Sequence, residues 1–285
     1  MSVFHIGAGM LAVIAAAGAA GATMQRRWTE MRKDRSRRPA LWNRFYSVDW
    51  GDTATNNYGF APATGDHPER FQHQMYLELL SELKATRELR PDMKLLEISC
   101  GRGGGLMAFV AQASEIDATG LDVAEAAIAF CRRTHGETER RRFVHGSALD
   151  LPFPDHHFDV LLNVEASNDY ADRERFFREA ARVLKPDGVL LYTDTVHRKR
   201  RVDMEEGLAA AGFQASFRDV SDNVVAACRA DTPRRRTVIR RHAPLPVRLF
   251  MKNQLANYAA REGSSKCTAF LDGRRRYLMT AATKA

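Results

Sequence analysis

A glycine-rich segment in the middle of this chain has the spacing of a nucleotide-binding turn. Residues 94–98 are predicted as a strand, residues 99–105 as a turn, and a helix is predicted from residue 106 to 113. Glycines let the backbone turn sharply and approach a ligand without an intervening Cβ. Asp122 lies 21 residues beyond Gly101, at the end of a second predicted strand, where an acid can accept hydrogen bonds from ribose hydroxyls. A purely structural turn is the alternative.

Two later acidic residues are candidates for proton transfer. Strands are predicted over 142–145, 158–164 and 189–193, and Glu165 and Asp194 directly follow the last two. A carboxylate in an apolar pocket has a raised pKa, which suits it to accept a proton near neutral pH. Each residue also has a structural alternative. Glu165 could be a carboxylate at the start of a helix, and Asp194 could cap a loop.

The elements that must position these residues alternate between apolar strands and amphipathic helices. This alternation predicts an α/β, Rossmann-like sheet over 90–196, with helices on both faces. A basic linker and aromatic helical cap are predicted over 26–89. Residues 197–285 are predicted to form a substrate lid and the closing strands of the sheet.

Composition excludes several classes of protein. In 285 residues, 45% are hydrophobic and 27% charged, as in a globular chain. The four cysteines are too scattered for a disulfide framework or a zinc cluster, so no metal site is predicted. The net charge of +8 divides into +5 over residues 1–38, −8 over 39–196 and +11 over 197–285. Basic ends could bind a nucleic acid, an anionic membrane or an anionic substrate. The charge alone does not distinguish among these three partners.

The amino-terminal residues form an uncharged run. Residues 3–24 hold no Asp, Glu, Lys or Arg, and their length is just sufficient to cross a bilayer. The Arg and Lys residues over 26–38 would keep that side cytoplasmic. Residues 1–25 are therefore either a membrane anchor helix of a cytoplasmic protein or a loose Ala-rich helix.

The strand, turn and helix motifs together resemble the class I S-adenosylmethionine-dependent methyltransferases. The resemblance covers residues 90–196 and rests on "LLEISCGRGGG", "TGLDVAEAAI", "GSALDLPFPDHHFDV", "LLNVEASNDY" and "ARVLKPDGVLLYTD". "LEISCGRGGG", "LNVEAS" and "GRRRYLMTAATKA" are most similar to a lipid-acting branch that includes the phthiotriol dimycocerosate O-methyltransferases. "FYSVDWGDTATNNYGFAP" has a weaker similarity to sterol C-methyltransferases.

The resemblance implies S-adenosyl-L-methionine as the cofactor and assigns nine residues to its binding. These are Glu97, Ser99, Gly101, Gly103, Asp122, Val123, Ser147, Ala148 and Asn163. Residues 97–103 of this set would hold the methionine end of the cofactor, and Asp122 would accept from its ribose hydroxyls. Val123, Ser147 and Ala148 would lie beside the adenine. Asn163 would line the floor of the cofactor site.

The chain departs from the family pattern in three places. Ser99 replaces the first glycine of the motif, and Ser147 replaces an aspartate that accepts from the adenine amine. The stretch 167–170 lacks the histidine that often follows the fourth strand in natural-product O-methyltransferases. This lack shifts the expectation of a base to Glu165, Asp169 or Asp194.

The expected acceptor is a hydrophobic small molecule, either a lipid, a polyketide or an isoprenoid. Its walls would come from 197–262 and from an aromatic set: Trp42, Phe45, Tyr46, Trp50, Tyr58 and Phe60. Arginine clusters at 234–236, 240–241 and 274–276 would be solvated faces or meet lipid phosphates. Membrane-surface contact fits this composition, whereas no nucleic-acid module is recognisable.

The expected reaction is methylation of a hydroxyl group. The alternatives are C-methylation of a sterol or prenyl-type alkene and a membrane-attached module that binds cofactor or lipid without catalysis. An RNA methyltransferase is a weaker option.

Overall fold

One twisted sheet of eight strands forms the centre of the protein. The structure is a computed structural model that describes residues 23, 25–26, 29–30 and 34–284. The strands are β1 (Lys94–Ile98), β2 (Asp117–Asp122), β3 (Arg141–His145), β4 (Phe158–Val164), β5 (Leu184–His197), β6 (Phe213–Gln214), β7 (Arg218–Asp219) and β8 (Arg275–Lys284). Their order is β3-β2-β1-β4-β5-β8-β6, and β7 also pairs with β8. The first five are parallel, and β8 runs antiparallel to β5. The carboxyl ends of β1, β2 and β4 therefore meet at one edge, where ligands bind in such folds.

Helices cover both faces of this sheet. They are α1 (Arg38–Tyr46), α2 (Arg70–Thr86), α3 (Gly104–Val110), α4 (Glu125–His135), α5 (Arg173–Val183), α6 (Arg201–Ala210), α7 (Ser221–His242), α8 (Leu245–Phe250), α9 (Lys252–Tyr258) and α10 (Ser265–Leu271). Alternate residues of one strand enter opposite cores, so Leu95 packs with α2 and α3 while Leu96 packs with α5 and α6. The predicted α/β class is confirmed.

The predicted elements of the core occur with shifted ends. Strand 158–164 is as predicted, whereas α3 is shorter and begins inside the glycine turn. The prediction that β5 spans only 189–193 was wrong: it runs from Leu184 to His197. Leu184 pairs with Phe158 and Val189 with Val160, so residues 185–188 form a bulge rather than a separate turn.

An amino-terminal cap lies over the ligand-binding edge. The N-cap residue of α4 is Ala124, whose side chain cannot accept a hydrogen bond from the first turn of the helix. Asn43 of α1 supplies an acceptor instead, because its Oδ1 accepts from the Ala126 N–H (2.9 Å). Arg38 pairs with Asp169 beyond β4, which fastens the same helix to the sheet. No helix within the described residues is long and apolar enough to span a membrane. The anchor predicted over residues 3–24 falls almost wholly outside the described residues, and the domain limits stay predictions.

Candidate active site

The glycine turn after β1 is held in a conformation that favours glycine. Ser99, Gly101 and Gly103 all have positive φ angles of 65°, 54° and 77°. A Cβ on Gly101 would lie 2.6 Å from the Tyr46 hydroxyl of the cap, so a larger residue would force Tyr46 to move and would also strain the positive φ. The turn is therefore shaped for close approach, with the cap lying directly over it.

Asp122 at the end of β2 is hydrogen-bonded to the backbone of the glycine turn. Its Oδ2 accepts from the Gly101 N–H (2.8 Å), and its Oδ1 accepts from the Ala124 N–H (2.8 Å). The side chain is buried, and burial raises the pKa of this carboxyl. Each oxygen retains a second lone pair, so the carboxylate can also accept from ligand hydroxyls.

Glu97 of β1 is paired with a tyrosine that sequence reasoning missed. The Tyr76 hydroxyl of α2 donates to Glu97 Oε1 (2.6 Å), whereas Glu97 Oε2 is buried without a hydrogen-bond partner. Burial raises the pKa of Glu97 to about 8. A buried acceptor without a partner is costly, and a ligand that donates to it would relieve this cost.

Gly105 makes room for that tyrosine. A Cβ at this position would lie 1.9 Å from Tyr76 Cζ. Gly105→Ala is therefore expected to lower the free energy of unfolding by about 2 kcal/mol, as overpacking does, although Ala normally stabilises a helix. Thermal unfolding measures this loss. In a Tyr76→Ala background the same substitution should cost nothing, and an equal cost in both backgrounds would contradict the explanation.

The floor of the site joins Ser99, Asn163 and Tyr170. The Tyr170 hydroxyl lies 2.7 Å from Ser99 Oγ and accepts from Asn163 Nδ2 (2.8 Å). Asn163 Nδ2 also donates to the Ile98 carbonyl, but its Oδ1 is buried without a partner. The amide nitrogen of Asn163 therefore has partners within the described part of the protein, whereas its Oδ1 has none. Together with Glu97 Oε2, this oxygen is available to accept from a ligand.

The three residues expected near an adenine lie along the ends of β2 and β3. Val123 is half-buried and its carbonyl lies 3.1 Å from His145 Nε2. Ser147 Oγ accepts from the Leu149 N–H (3.1 Å), and Ala148 is buried in the sheet core. Ser147 is therefore engaged in its own turn, which leaves it a weaker adenine partner than an aspartate.

Glu165 follows β4 and lies beneath the cap. Its φ is 54°, which is uncommon for a residue other than glycine. Oε1 accepts from the Tyr277 hydroxyl (2.6 Å) and from the Tyr58 N–H (2.6 Å). Burial raises the pKa of Glu165 to about 7, although both of these donors favour the ionised form. Such a group can accept a proton near neutral pH.

Asp194 was predicted to follow a strand, but it lies inside β5, where donors of the turn after β4 surround it. Its carboxylate accepts from Ser167 Oγ (2.7 Å), the Asn168 backbone and side chain, and the Thr195 N–H (2.7 Å). The side chain is 1% exposed, and burial raises the pKa of this carboxyl. These contacts favour the predicted alternative, in which Asp194 caps the loop after β4. Direct catalysis by Asp194 remains a prediction.

The cap contains an aromatic cluster that includes a residue from the carboxyl-terminal helices. The Tyr258 ring of α9 lies 5.3 Å from Phe45 and 6.2 Å from Trp42, measured between centroids. Trp50, Tyr58 and Phe60 are buried. The cluster closes the site with apolar surface contributed from both ends of the chain.

A buried polar network fixes the cap segment that carries Tyr58. Arg235 of α7 donates to the Tyr58 carbonyl (2.6 Å) and pairs with Asp231 (2.9 Å). Lys266 of α10 donates to the Tyr58 hydroxyl (2.7 Å). Because Tyr58 in turn donates to Glu165, α7 and α10 set the position of the carboxylate at the end of β4.

The residues at this edge fit a nucleotide that carries an ammonium group. Glu97 Oε2 and Asn163 Oδ1 are buried acceptors without partners, and Asp122 has lone pairs for hydroxyls. At Gly101 and Gly103 the turn presents backbone without a Cβ, with φ angles of 54° and 77°. The fold therefore brings the predicted methionine-side and ribose-side residues to one edge.

Sequence reasoning assigned no role to three tyrosines of the site: Tyr76, Tyr170 and Tyr277. They belong to α2, the turn after β4, and β8. Tyr170 and Tyr277 stood in quoted motifs, but no spacing indicated their partners. Only the hydrogen bonds to Glu97, Ser99 and Glu165 reveal these roles.

Comparison with known proteins agrees with this geometry. Residues 96–192 match the model of a methyltransferase domain family. The probable phthiotriol/phenolphthiotriol dimycocerosates methyltransferase 2 of Mycobacterium ulcerans is 36% identical over 191 residues, 67% of this chain and 72% of that protein. The fatty-acid O-methyltransferase of Mycolicibacterium smegmatis is 35% identical over 206 residues, 69% of this chain and 73% of that protein.

A solved structure shares the fold. The putative sarcosine dimethylglycine methyltransferase from Galdieria sulphuraria superposes with a TM-score of 0.66 at 19% identity, over 86% of this chain and 98% of that one. This similarity bears on the fold alone, whereas the two mycobacterial relatives establish the family. The chain belongs to the S-adenosylmethionine-dependent methyltransferases, with S-adenosylmethionine as its cofactor.

Proposed function

We propose that this enzyme transfers a methyl group to a hydroxyl group of a lipid-like, hydrophobic acceptor. The observation that carries the proposal is Glu165, a carboxylate with a raised pKa at the end of β4, covered by Tyr58 and Tyr277. The two relatives named for dimycocerosate and fatty-acid methylation support the lipid class. The aromatic cap supports an apolar acceptor.

Each polar residue has a distinct task in this proposal. Glu97 Oε2 and the turn at Ser99, Gly101 and Gly103 hold the methionine end of the cofactor, and Asp122 holds the ribose. Val123, Ser147 and Ala148 line the adenine edge, and Asn163 lines the floor. When bound, S-adenosylmethionine supplies a methyl group on a positively charged sulfur.

Glu165 orients the acceptor and takes its proton. As the new carbon–oxygen bond forms and the carbon–sulfur bond breaks, the hydroxyl proton passes to the Glu165 carboxylate. Tyr277 and Tyr58 fix the carboxylate through Oε1, and Asp194 positions the turn that follows Glu165. The cap excludes water, so that most of the catalytic effect comes from alignment.

Product analysis distinguishes this reaction from its alternatives. The enzyme is incubated with S-adenosylmethionine carrying an isotope-labelled methyl group and with a long-chain alcohol, a fatty acid or a prenyl alkene. We expect the label on the alcohol oxygen. Label on a carbon atom would instead establish C-methylation, and label on the carboxyl oxygen alone would exclude the hydroxyl target.

The pH dependence of turnover follows from the pKa of Glu165. Because burial raises this pKa to about 7, the carboxylate becomes protonated as the pH falls below 7 and can no longer accept the proton. We expect kcat with the alcohol to fall about tenfold per pH unit well below 7 and to level off above it. Steady-state kinetics at saturating cofactor measure this acidic limb of the pH profile. A kcat independent of pH between 5 and 8 would contradict the role of Glu165 as the base.

A further inference from the structure

A basic pocket lies between the end of α7, α8 and α9, outside the candidate active site. It encloses about 210 Å³. Its lining residues are Arg236, Ile239, Arg240, Arg248, Lys252, Leu255 and Arg261. Five of these seven side chains are cations and none is a carboxylate, so the pocket suits an anion.

The charges of this pocket are not neutralised within the described part of the chain. Residues 232–261 hold eight Arg and Lys residues and no Asp or Glu. Arg234 and Arg235 pair with Asp231, but no ion pair among the described residues joins a pocket cation to a carboxylate. Uncompensated cations so close together repel one another, and a bound anion would relieve the repulsion.

Two of the arginines that line the pocket each have a buried Nε without a partner. Arg248 Nε and Arg261 Nε are buried, and neither makes a hydrogen bond within the described residues. Arg248 is held across the pocket because its Nη1 donates to the Arg240 carbonyl (2.6 Å). Burial and the nearby Arg236 lower the pKa of Arg261. A phosphate group that met these two guanidinium groups would accept charge-assisted hydrogen bonds from them.

Two exposed leucines lie on α8, the helix that carries Arg248 of the pocket. Leu245 and Leu249 of α8 are 58% and 64% exposed, and their spacing of four residues places them on one side of the helix. Gln25, which follows the uncharged run 3–24, donates to the Phe250 carbonyl at the end of α8 (2.6 Å). Exposed leucines beside cations are typical of a surface that rests on a bilayer.

We propose that this pocket and the α8 leucines form a docking surface for an anionic phospholipid bilayer. The phosphate of one headgroup occupies the pocket between Arg248 and Arg261, and Leu245 and Leu249 enter the boundary between headgroups and acyl chains. The pocket adjoins the cap through α9, which carries Lys252 at one end and Tyr258 at the other. Docking would therefore bring the cap to the membrane, a consequence that rests on the proposed function.

Vesicle binding tests the docking surface independently of catalysis. The full chain is sedimented with vesicles of phosphatidylcholine alone or mixed with phosphatidylglycerol, and the ratio of the two partition coefficients is compared among variants. Each cation near an anionic surface contributes about fivefold. Arg248→Gln/Arg261→Gln is therefore expected to lower the ratio about thirtyfold. The matched control Arg198→Gln/Arg200→Gln removes two exposed cations elsewhere and should change it less than about threefold.

A second variant tests the leucines. Leu245→Ser/Leu249→Ser is expected to weaken binding to both kinds of vesicle, since it removes apolar contact rather than charge. Cofactor binding by calorimetry verifies that each variant is folded. An unchanged ratio in the pocket variant, or an equal loss in the control, would overturn the proposal. So would glycerol phosphate or a short RNA that binds the wild type as tightly as the vesicles do.

Discussion

Glu165→Gln is expected to lower kcat with a long-chain alcohol by about a hundredfold to a thousandfold, the range that loss of a general base produces. The Gln carbonyl can still accept from the Tyr58 N–H and the Tyr277 hydroxyl, so the fold and the cap should be retained. The Kd for S-adenosylmethionine should change less than about threefold. Single-turnover kinetics and calorimetry on the same protein separate these two effects.

Tyr277→Phe is the matched control for this prediction. Its hydroxyl lowers the pKa of Glu165 by donating to the carboxylate, so its removal should move the acidic limb to higher pH. The rate above that limb should remain within about threefold of wild type. A fatty acid is ionised at pH 7 and has no proton to lose, so its methylation should be insensitive to Glu165→Gln. Unchanged turnover of the alcohol would remove Glu165 from the mechanism.

Asp122→Ala is expected to raise the Kd for S-adenosylmethionine about a hundredfold. The carboxylate is placed to accept from ribose hydroxyls, and hydrogen bonds to a charged group are worth about 1.5–3 kcal/mol each. The substitution also removes the acceptor of the Gly101 and Ala124 N–H groups, so that the turn loses its anchor. Isothermal titration with the full chain measures the affinity, and thermal unfolding measures the lost anchor.

Glu125→Ala provides the comparison for Asp122. It removes the same charge three residues away, from an exposed position in the first turn of α4. The affinity should change less than about twofold, since the exposed Glu125 side chain makes no hydrogen bond or ion pair with the turn in the described structure. An Asp122→Ala protein that is folded and binds the cofactor as tightly as wild type would refute the ribose assignment.

The sequence by itself determined the order of the elements and the position of the nucleotide edge. Strand and helix periods are local, so the strands over 94–98, 117–121 and 158–164 could be recognised from their own neighbours. Asp122 was identified by its distance from Gly101, because a βαβ unit has a nearly constant length. The division of the chain into an acidic middle and two basic ends also followed from the sequence. It did not show whether the arginines of the carboxyl-terminal end face solvent or line a pocket.

Only the tertiary structure decided which side chains face one another. Tyr277 lies 112 residues from Glu165, and Tyr76 lies 21 residues from Glu97 on a helix whose period indicates only an apolar face. The sequence presented Asp194 and Glu165 as equivalent strand-end acids. Folding places Asp194 inside β5 and surrounds it with donors of the turn after β4, whereas it places Glu165 beneath the cap. A carboxylate takes its pKa from burial and partners, and both are properties of contacts between distant segments.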